Sequence, residues 1–347
     1  MHLIANPEPV SNREISVVAA PRCLLCGAPG ALLYDGMSDW LWGVPGEWGF
    51  RHCECGLAWL DPQPFVAQLP KLYAKYYTHS GTDKPLRLDG IRREVMQCVL
   101  ARMGYSVQPS THWLARFLSH VPSIARARAL EIFDLPPTQA GTLLDVGCGN
   151  GKFIRQMRSL GWNARGVDPD PAAVAEGLRA GLSVFQGSIM DLPPDPRYDV
   201  ITLNHVIEHV PDPILLLSEC KKRLTPATGR LMIMTPNLNS LGHRWFGRFW
   251  RGLEIPRHLM LFSSTALTKC ASLAGLTVNL LCTETRLARM IYNPSASAKS
   301  GARGIGEKTN FKTTTKVSAF LFQAMEDLWI QFRKDAGEEL FCVCSAE

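Results

Sequence analysis

The chain lacks any run of about 20 uncharged apolar residues, the length that a helix needs to cross a bilayer. Its first residues, "MHLIANPEPVSNREISVVAAP", also lack the basic start, apolar core and cleavage site of a secretory leader. The net charge of +6 is small for 347 residues, so the composition permits an anionic ligand or a lipid surface but requires neither. These absences predict a cytoplasmic protein and leave peripheral contact with the inner membrane surface open.

The sequence changes character twice along its length. Residues 1–65 are rich in cysteine and turn residues, and residues 66–140 show helical periodicity, which predicts a small module followed by a helical lid or linker. Residues 141–347 form the main predicted domain, with insertions at about 240–260 and 293–335 that would border the substrate. Within the second insertion, residues 293–310 are polar and rich in Gly and Ser and predict a loop.

After residue 141, short apolar runs alternate with amphipathic ones. Strands predicted from "GTLLDVG", "NARGVD", "SVFQG", "YDVITLN" and "GRLMIMTP" are separated by helices such as "GKFIRQMRSLG" and "PILLLSECKKRL". Strict alternation of this kind predicts an α/β fold, a mainly parallel sheet with helices on both faces. The runs "TVNLLCTET" and "GEELFCVCSAE" predict the last two strands, at the sheet edge, with an apolar helix between them that core packing explains best and a membrane surface explains second.

The stretch "LLDVGCGNGKFI" ends an apolar strand in a glycine-rich turn that leads directly into a helix. Glycine there allows left-handed backbone and the close approach of a ligand. The G-x-G-x-G spacing differs from the dinucleotide fingerprint and from the phosphate-binding loop. With Asp145 before it and Asp168 at the tip of the next strand, 23 residues on, it resembles motif I of class I S-adenosylmethionine (SAM) dependent methyltransferases.

The resemblance covers about residues 141–285 and is to the methyltransferase type 11/12/23 group, including ubiquinone-pathway O-methyltransferases. It implies a Rossmann-like seven-stranded sheet in which Asp168 binds the ribose of SAM. Near the adenine the family usually has an acidic residue, and this sequence has Ser188 at that position. The cofactor residues that it implies are Asp145, Gly147, Cys148, Gly149, Gly151, Asp168, Pro169, Ser188, Ile189 and Asn204.

The letters "HVIEHV", residues 205–210, match the H-x-x-E-H spacing of one class of zinc peptidase. That chemistry needs both histidines on one helical face, but His205 follows a predicted strand and Asp212-Pro213 predicts the helix start later. The resemblance places the segment between cofactor and methyl acceptor. His205, Glu208 and His209 are therefore candidate catalytic residues, with metal binding or a purely structural role as alternatives.

Residues 250–262 resemble the acceptor-pocket segment of the same family, W-x-G-L-x-x-P-R-H-L-x-x-F, which carries over Trp250, Arg257 and His258. His258 is a candidate general base for a hydroxyl acceptor, since imidazole exchanges protons near neutral pH. Anchoring of the loop is the alternative. Arginines and aromatics alternate over 244–251, which fits a pocket edge better than a nucleic-acid groove.

Two cysteine pairs, Cys23-x-x-Cys26 and Cys53-x-Cys55, are each followed by glycine. In a reducing compartment such pairs favour a structural zinc site over disulfides. The second pair is one residue short of C-x-x-C, so His52 is an alternative third ligand to Cys53.

Two functions remain open at this stage. The first is a SAM-dependent methyltransferase acting on a small-molecule, sugar or lipid-linked acceptor, with O-methylation favoured. The second is a zinc-ribbon nucleic-acid binder whose methyltransferase domain modifies RNA or only senses SAM, against which the modest charge argues.

Overall fold

A computed structural model of the chain describes residues 10–12, 15–73, 89–137, 141–301 and 313–346. The strands in chain order are β1 (Val10–Asn12), β2 (Ile15–Val18), β3 (Ala31–Met37), β4 (Trp48–His52), β5 (Leu57–Leu60), β6 (Gln63–Pro64), β7 (Thr142–Val146), β8 (Asn163–Asp168), β9 (Val184–Gln186), β10 (Val200–Asn204), β11 (Arg230–Pro236), β12 (Met260–Phe262), β13 (Thr277–Glu284) and β14 (Glu339–Ser345). The α-helices are α1 (Asp89–Arg102), α2 (Trp113–Leu118), α3 (Pro122–Ala129), α4 (Lys152–Ser159), α5 (Pro171–Arg179), α6 (Pro213–Arg223), α7 (Leu241–Phe246), α8 (Ser264–Leu273), α9 (Ala288–Lys299) and α10 (Thr313–Phe332).

The predicted alternation of strand and helix is confirmed. One seven-stranded sheet has the order β13-β14-β11-β10-β7-β8-β9, and the β10-β7-β8-β9 part is parallel. Every strand predicted from the apolar runs after residue 141 is present, and β13 and β14 lie at one edge as predicted. Ligands of such open sheets bind beyond the carboxyl ends of the strands, which is where the loops after β7, β8 and β10 lie.

Contacts divide the chain into two compact units. The first comprises described parts of Met1–Tyr77, His205–Ser218 and Ile233–Cys344. The second comprises described parts of Thr78–Asn204, Glu219–Met232 and Ser345–Glu347. The division predicted at residues 65 and 140 assumes domains that are continuous in sequence, whereas each of these units consists of separate segments of the chain.

In the second unit the buried faces of β7 and β10 form the core, with Leu143, Leu144, Ile201 and Leu203 almost completely enclosed. Helices α1 to α3 occupy part of the predicted helical segment and share a small apolar cluster of Val95, Val99, Ala115 and Ala129. The rest of that segment, including most of "LYAKYY", lies outside the described residues.

In the first unit a four-stranded antiparallel sheet, β12-β5-β4-β3, packs around buried Trp48, Phe50 and Trp59. Its edge strand β12 comes from residues 260–262, directly after the "PRHL" segment, and pairs Met260 with Trp59. This pairing could not be predicted from the sequence, because a three-residue strand has too little periodicity to reveal its partner.

Two predictions after residue 285 need correction. The loop predicted for 293–310 is partly helical, since α9 extends to Lys299 and buries Ile291, Ser295 and Ala298 on one face. The hydroxyl of Ser295 donates to the carbonyl of Ile291, so its polar group is satisfied within the helix. The prediction that the apolar residues of the last helix pack in the core is also wrong for one face, because α10 leaves Leu321, Leu328 and other apolar side chains exposed.

Candidate functional site

The glycine-rich turn after β7 adopts a conformation that only glycine accepts without strain. Gly147, Gly149 and Gly151 have φ angles of 72°, 52° and 77°, all in the left-handed region. Gly151 is the N-cap of α4, so the turn that follows β7 leads directly into the helix. A Cβ added to Gly149 would meet no atom within 4 Å, and the turn therefore faces open space that a ligand can enter.

The carboxylate of Asp168, at the end of β8, is fixed against this turn. Its Oδ2 accepts the backbone N–H of Gly149 at 2.7 Å, and its Oδ1 accepts the N–H of Asp170 at 2.9 Å. Burial raises the pKa of Asp168. The two amide hydrogen bonds act to lower it, because they stabilise the charged form. Each oxygen keeps a further lone pair, so the group can also accept hydroxyl hydrogens from a ribose.

Asp145, the other acidic residue of the motif, is enclosed at 3% exposure. The hydroxyl of Thr202 donates to its Oδ1 at 2.7 Å. Burial raises the pKa of Asp145 to about 7, and the negative charge of Asp168 adds to the rise. Its contact with the cofactor stays a prediction, because the carboxyl group is buried and already binds the hydroxyl of Thr202.

The other predicted cofactor residues lie in the same unit. Ser188 donates its hydroxyl to Asp191 Oδ2 at 2.6 Å in a capping box, so a neighbouring carboxylate already engages that side chain. Ile189 and Cys148 are buried, whereas Asn204 is exposed at the end of β10. Pro169, between Asp168 and Asp170, is exposed as well.

His205, in the first unit, has a φ angle of 56°, which is unusual for a non-glycine residue. Its Nδ1 lies 3.0 Å from Glu208 Oε1 and its Nε2 lies 2.9 Å from Glu339 Oε1. Burial acts to lower the pKa of His205, but hydrogen bonds to the two carboxylates outweigh it and raise that pKa to about 9. His205 is therefore an imidazolium with both nitrogens engaged, which does not suit it to accept a proton.

Two buried glutamates complete this arrangement. Glu208 also accepts the hydroxyl of Thr235 at 3.0 Å, and Glu339 accepts Nη2 of Arg286 at 2.8 Å. Although burial acts to raise their pKa values, the neighbouring cations lower both to about 2. Glu339 was not among the predicted site residues, because it comes from β14, 134 residues after His205, and no motif marks it.

His209 and His258 form a second pair of imidazoles. Their ring centroids are 4.7 Å apart with the planes at 67°. His209 Nδ1 lies 3.0 Å from the carbonyl oxygen of Arg257 and 3.0 Å from the hydroxyl of Tyr73. His258 Nδ1 donates to the carbonyl of Gly252 at 2.7 Å, so its Nε2 carries the lone pair in the neutral form.

The two histidines differ in exposure. Burial lowers the pKa of His258 to about 3 and keeps it neutral. His258 is 4% exposed, whereas His209 is only partly buried. With Glu208 they form a set of two imidazoles and one carboxylate whose ligand atoms all lie within 4.8 Å of one another. The predicted set of possible metal ligands was His205, Glu208 and His209, whereas in the structure His258 takes the place of His205. A metal ion at this set stays a prediction.

The other residues carried over from the acceptor segment are entirely enclosed. Trp250 and Arg257 are both 0% exposed. Arg257 donates to the carboxylate of Asp39 at 2.9 and 3.3 Å, and Trp250 Nε1 donates to Glu338 Oε2 at 3.0 Å. These bonds hold both side chains inside the fold.

The four N-terminal cysteines converge as predicted. The Sγ atoms of Cys23 and Cys55 are 3.5 Å apart, and those of Cys26 and Cys53 are 3.4 Å apart. All four lie within 4.8 Å of one another, a donor set compatible with a structural zinc ion, and Cys53 rather than His52 belongs to it. A hydrogen bond from the backbone at Ala28 lowers the pKa of Cys26 to about 7, whereas burial raises the pKa values of Cys23 and Cys53.

Comparisons with known proteins agree with this geometry. Residues 113–281 match a family model described as a methyltransferase domain. A ubiquinone biosynthesis O-methyltransferase of Marinobacter nauticus is 37% identical over 106 residues, which is 28% of this chain and 44% of that protein. The enzyme of the same name from Rhodopseudomonas palustris is 31% identical over 187 residues, 52% of this chain and 64% of that protein. The chain thus covers less than two thirds of the length of either relative.

Among solved structures, a SAM-dependent methyltransferase of Thermotoga maritima is similar with a TM-score of 0.44 and 14% identity. The similarity covers 80% of this chain and 100% of that one.

Proposed function

We propose that this chain, which carries a class I SAM-dependent methyltransferase domain, transfers a methyl group from SAM to a hydroxyl of a small-molecule acceptor. The observation that carries the proposal is the pairing of the left-handed turn at Gly149 with the Asp168 carboxylate, 2.7 Å from its amide. Turn and acid together fit the methionine and ribose parts of SAM. The names of the matched relatives support O-methylation and a small acceptor rather than RNA.

SAM, when bound, supplies an electrophilic methyl group on its sulfonium, so the protein needs to position the acceptor, exclude water and remove a proton. We assign proton removal to His209, because it is partly exposed and its Nδ1 is anchored to the Arg257 carbonyl. His258 remains neutral beside it, and its ring packs edge to face against the His209 ring. The His205 imidazolium, bound to Glu208 and Glu339, positions the segment instead of acting as the base.

The proposed acceptors include sugar-linked and lipid-linked hydroxyl compounds. The described part of the chain contains no helix long and apolar enough to cross a membrane. We propose a cytoplasmic location for the protein, together with the cofactor contacts and histidine roles given above.

Incubation with methyl-labelled SAM and fractions of a cell extract tests the proposal. We expect a labelled product whose methyl group is on oxygen, and we expect His209→Gln to lower kcat by about 100-fold, the ordinary contribution of a general base. His52→Gln, in the same unit but outside the cluster, serves as the control. A product methylated only on nitrogen or carbon, or full activity of His209→Gln, would refute the assignment.

A further inference from the structure

The outer face of α10 is apolar along its whole described length. Its exposed side chains recur every three or four residues and include Val317 (56%), Phe320 (59%), Leu321 (61%), Leu328 (63%), Trp329 (43%) and Phe332 (76%). Residues 317–332 span about 24 Å at the usual helical rise. An apolar stripe of this size on a protein surface marks an interaction site.

The inner face of α10 is fixed, so the helix cannot rotate to bury this stripe. Phe322 on the inner face packs against Tyr292 and Phe246 with ring centroids 5.2 and 5.9 Å apart. Thr285 donates a hydrogen bond to Asp327 on the next turn. The exposed side chains of the stripe therefore face outward because the opposite side of the helix is already in the core.

Basic residues lie at both ends of the stripe. Lys316 precedes it, Arg333 and Lys334 follow it, and all three are exposed. Arg333 Nε lies 3.7 Å from Asp335 Oδ1, so the cations most available to a ligand are Lys316 and Lys334. Within the described helix Glu326 is buried, and Asp327 is half-buried and accepts a hydrogen bond from Thr285. In the sequence, the segment 302–312 before the helix adds three basic residues, Arg303, Lys308 and Lys312, against one acid, Glu307.

We propose that this face of α10 docks on an anionic lipid surface, with its apolar side chains among the acyl chains near the headgroups and its terminal lysines on lipid phosphates. Trp and Phe beside Lys and Arg are typical of helices that lie in the plane of a membrane interface. A second copy of the chain fits less well. Whether two such helices paired parallel or antiparallel, a lysine at the end of one would meet a lysine of the other, and Asp335 at the C-terminal end already lies 3.7 Å from Arg333.

Docking does not depend on the methyl-transfer chemistry, and sedimentation with vesicles tests it directly. We expect the intact protein to sediment with phosphatidylcholine vesicles that contain phosphatidylglycerol, and to do so much less with phosphatidylcholine alone. Leu321→Glu combined with Leu328→Glu should weaken vesicle binding more than tenfold. Leu280→Glu, at an exposed position on β13 in the same unit, should bind like the unchanged protein.

The charge at the ends has its own test, which remains informative if the leucine variant fails to fold. Lys316→Ala and Lys334→Ala should each weaken binding to the anionic vesicles by about fivefold, the usual value for one lysine near such a surface. Far-UV circular dichroism and the unfolding midpoint check that each variant is folded. The proposal fails if the unchanged protein does not sediment, if the folded leucine variant sediments equally, or if that variant instead converts a stable dimer into monomers.

Discussion

His205 Nε2 lies 2.9 Å from Glu339 Oε1, and the same imidazole binds Glu208 through Nδ1. One strand-end histidine thus joins two buried carboxylates, one three residues away in the sequence and one 134 residues away. Because Arg286 also binds Glu339 at 2.8 Å, two cations and two anions form one buried network. In this structure the first histidine of H-x-x-E-H therefore lies between two carboxylates, while the second lies with His258 and Glu208.

The network predicts a specific dependence of stability on pH. Since the pKa of His205 is raised to about 9, its contribution is complete below the ordinary value of 6.5 and is lost as the pH rises towards 9. Since the pKa values of Glu208 and Glu339 are lowered to about 2, their contributions are complete above 4.5 and are lost as the pH falls. The network should stabilise the fold most between about pH 4.5 and 6.5.

Glu339→Gln tests this dependence. We expect the free energy of unfolding to fall by about 1–2 kcal/mol at pH 6, and by less at pH 9.5, where His205 is neutral in both proteins. Urea unfolding at the two pH values measures it, with Glu54→Gln at an exposed position as the control. Equal losses at both pH values would show that the charge of His205 contributes nothing.

The cysteine cluster predicts one zinc ion per chain. Cys26→Ser should abolish its retention, because the Cys26 thiolate is one of four converging ligands and its pKa is already lowered to about 7. Cys282→Ser, outside the cluster, should keep the metal. Metal analysis of the purified proteins by mass spectrometry decides the matter, and a metal-free native protein of full stability would refute the structural role.

Local sequence signals predicted the parts of the fold that depend on neighbouring residues. The turn at Gly147 to Gly151, the acid at Asp168 and the N-cap at Asp212, which accepts the N–H of Leu215 at 2.9 Å, all follow from short-range chemistry. The start of α6 at Pro213 followed from the same signals. These features were predictable because each is set within a few residues.

Long-range partners could not be predicted in this way. Nothing in the sequence near His205 indicates Glu339, and nothing near Trp59 indicates Met260 as its strand partner. The burial of Trp250 and Arg257 was missed for the same reason, since Glu338 and Asp39 reach them from distant segments. The exposed face of α10 was misjudged because an apolar stripe reveals amphipathicity but does not say what covers it.

The open space at Gly149 predicts a substitution that separates binding from stability. Gly149→Ala and Gly181→Ala both place a Cβ where φ is positive and no atom lies within 4 Å, so each should cost about 1–2 kcal/mol of stability. Only Gly149→Ala should weaken SAM binding, because only that Cβ enters the space beside Asp168. Thermal unfolding and calorimetric titration with SAM compare the two variants, and equal SAM affinities would place the cofactor elsewhere.

Calorimetric titration of SAM into Asp168→Asn measures whether this carboxylate binds the cofactor. The substitution removes the charge that accepts the ribose hydroxyls and puts an amide donor near the N–H of Gly149 or Asp170, so we expect the affinity to fall by roughly 10- to 100-fold. Asp170→Asn makes the same charge change two residues away and keeps the N-cap of α5, so it should bind SAM like the unchanged protein. Unaltered affinity in Asp168→Asn, or absence of SAM binding by the unchanged protein, would contradict the account.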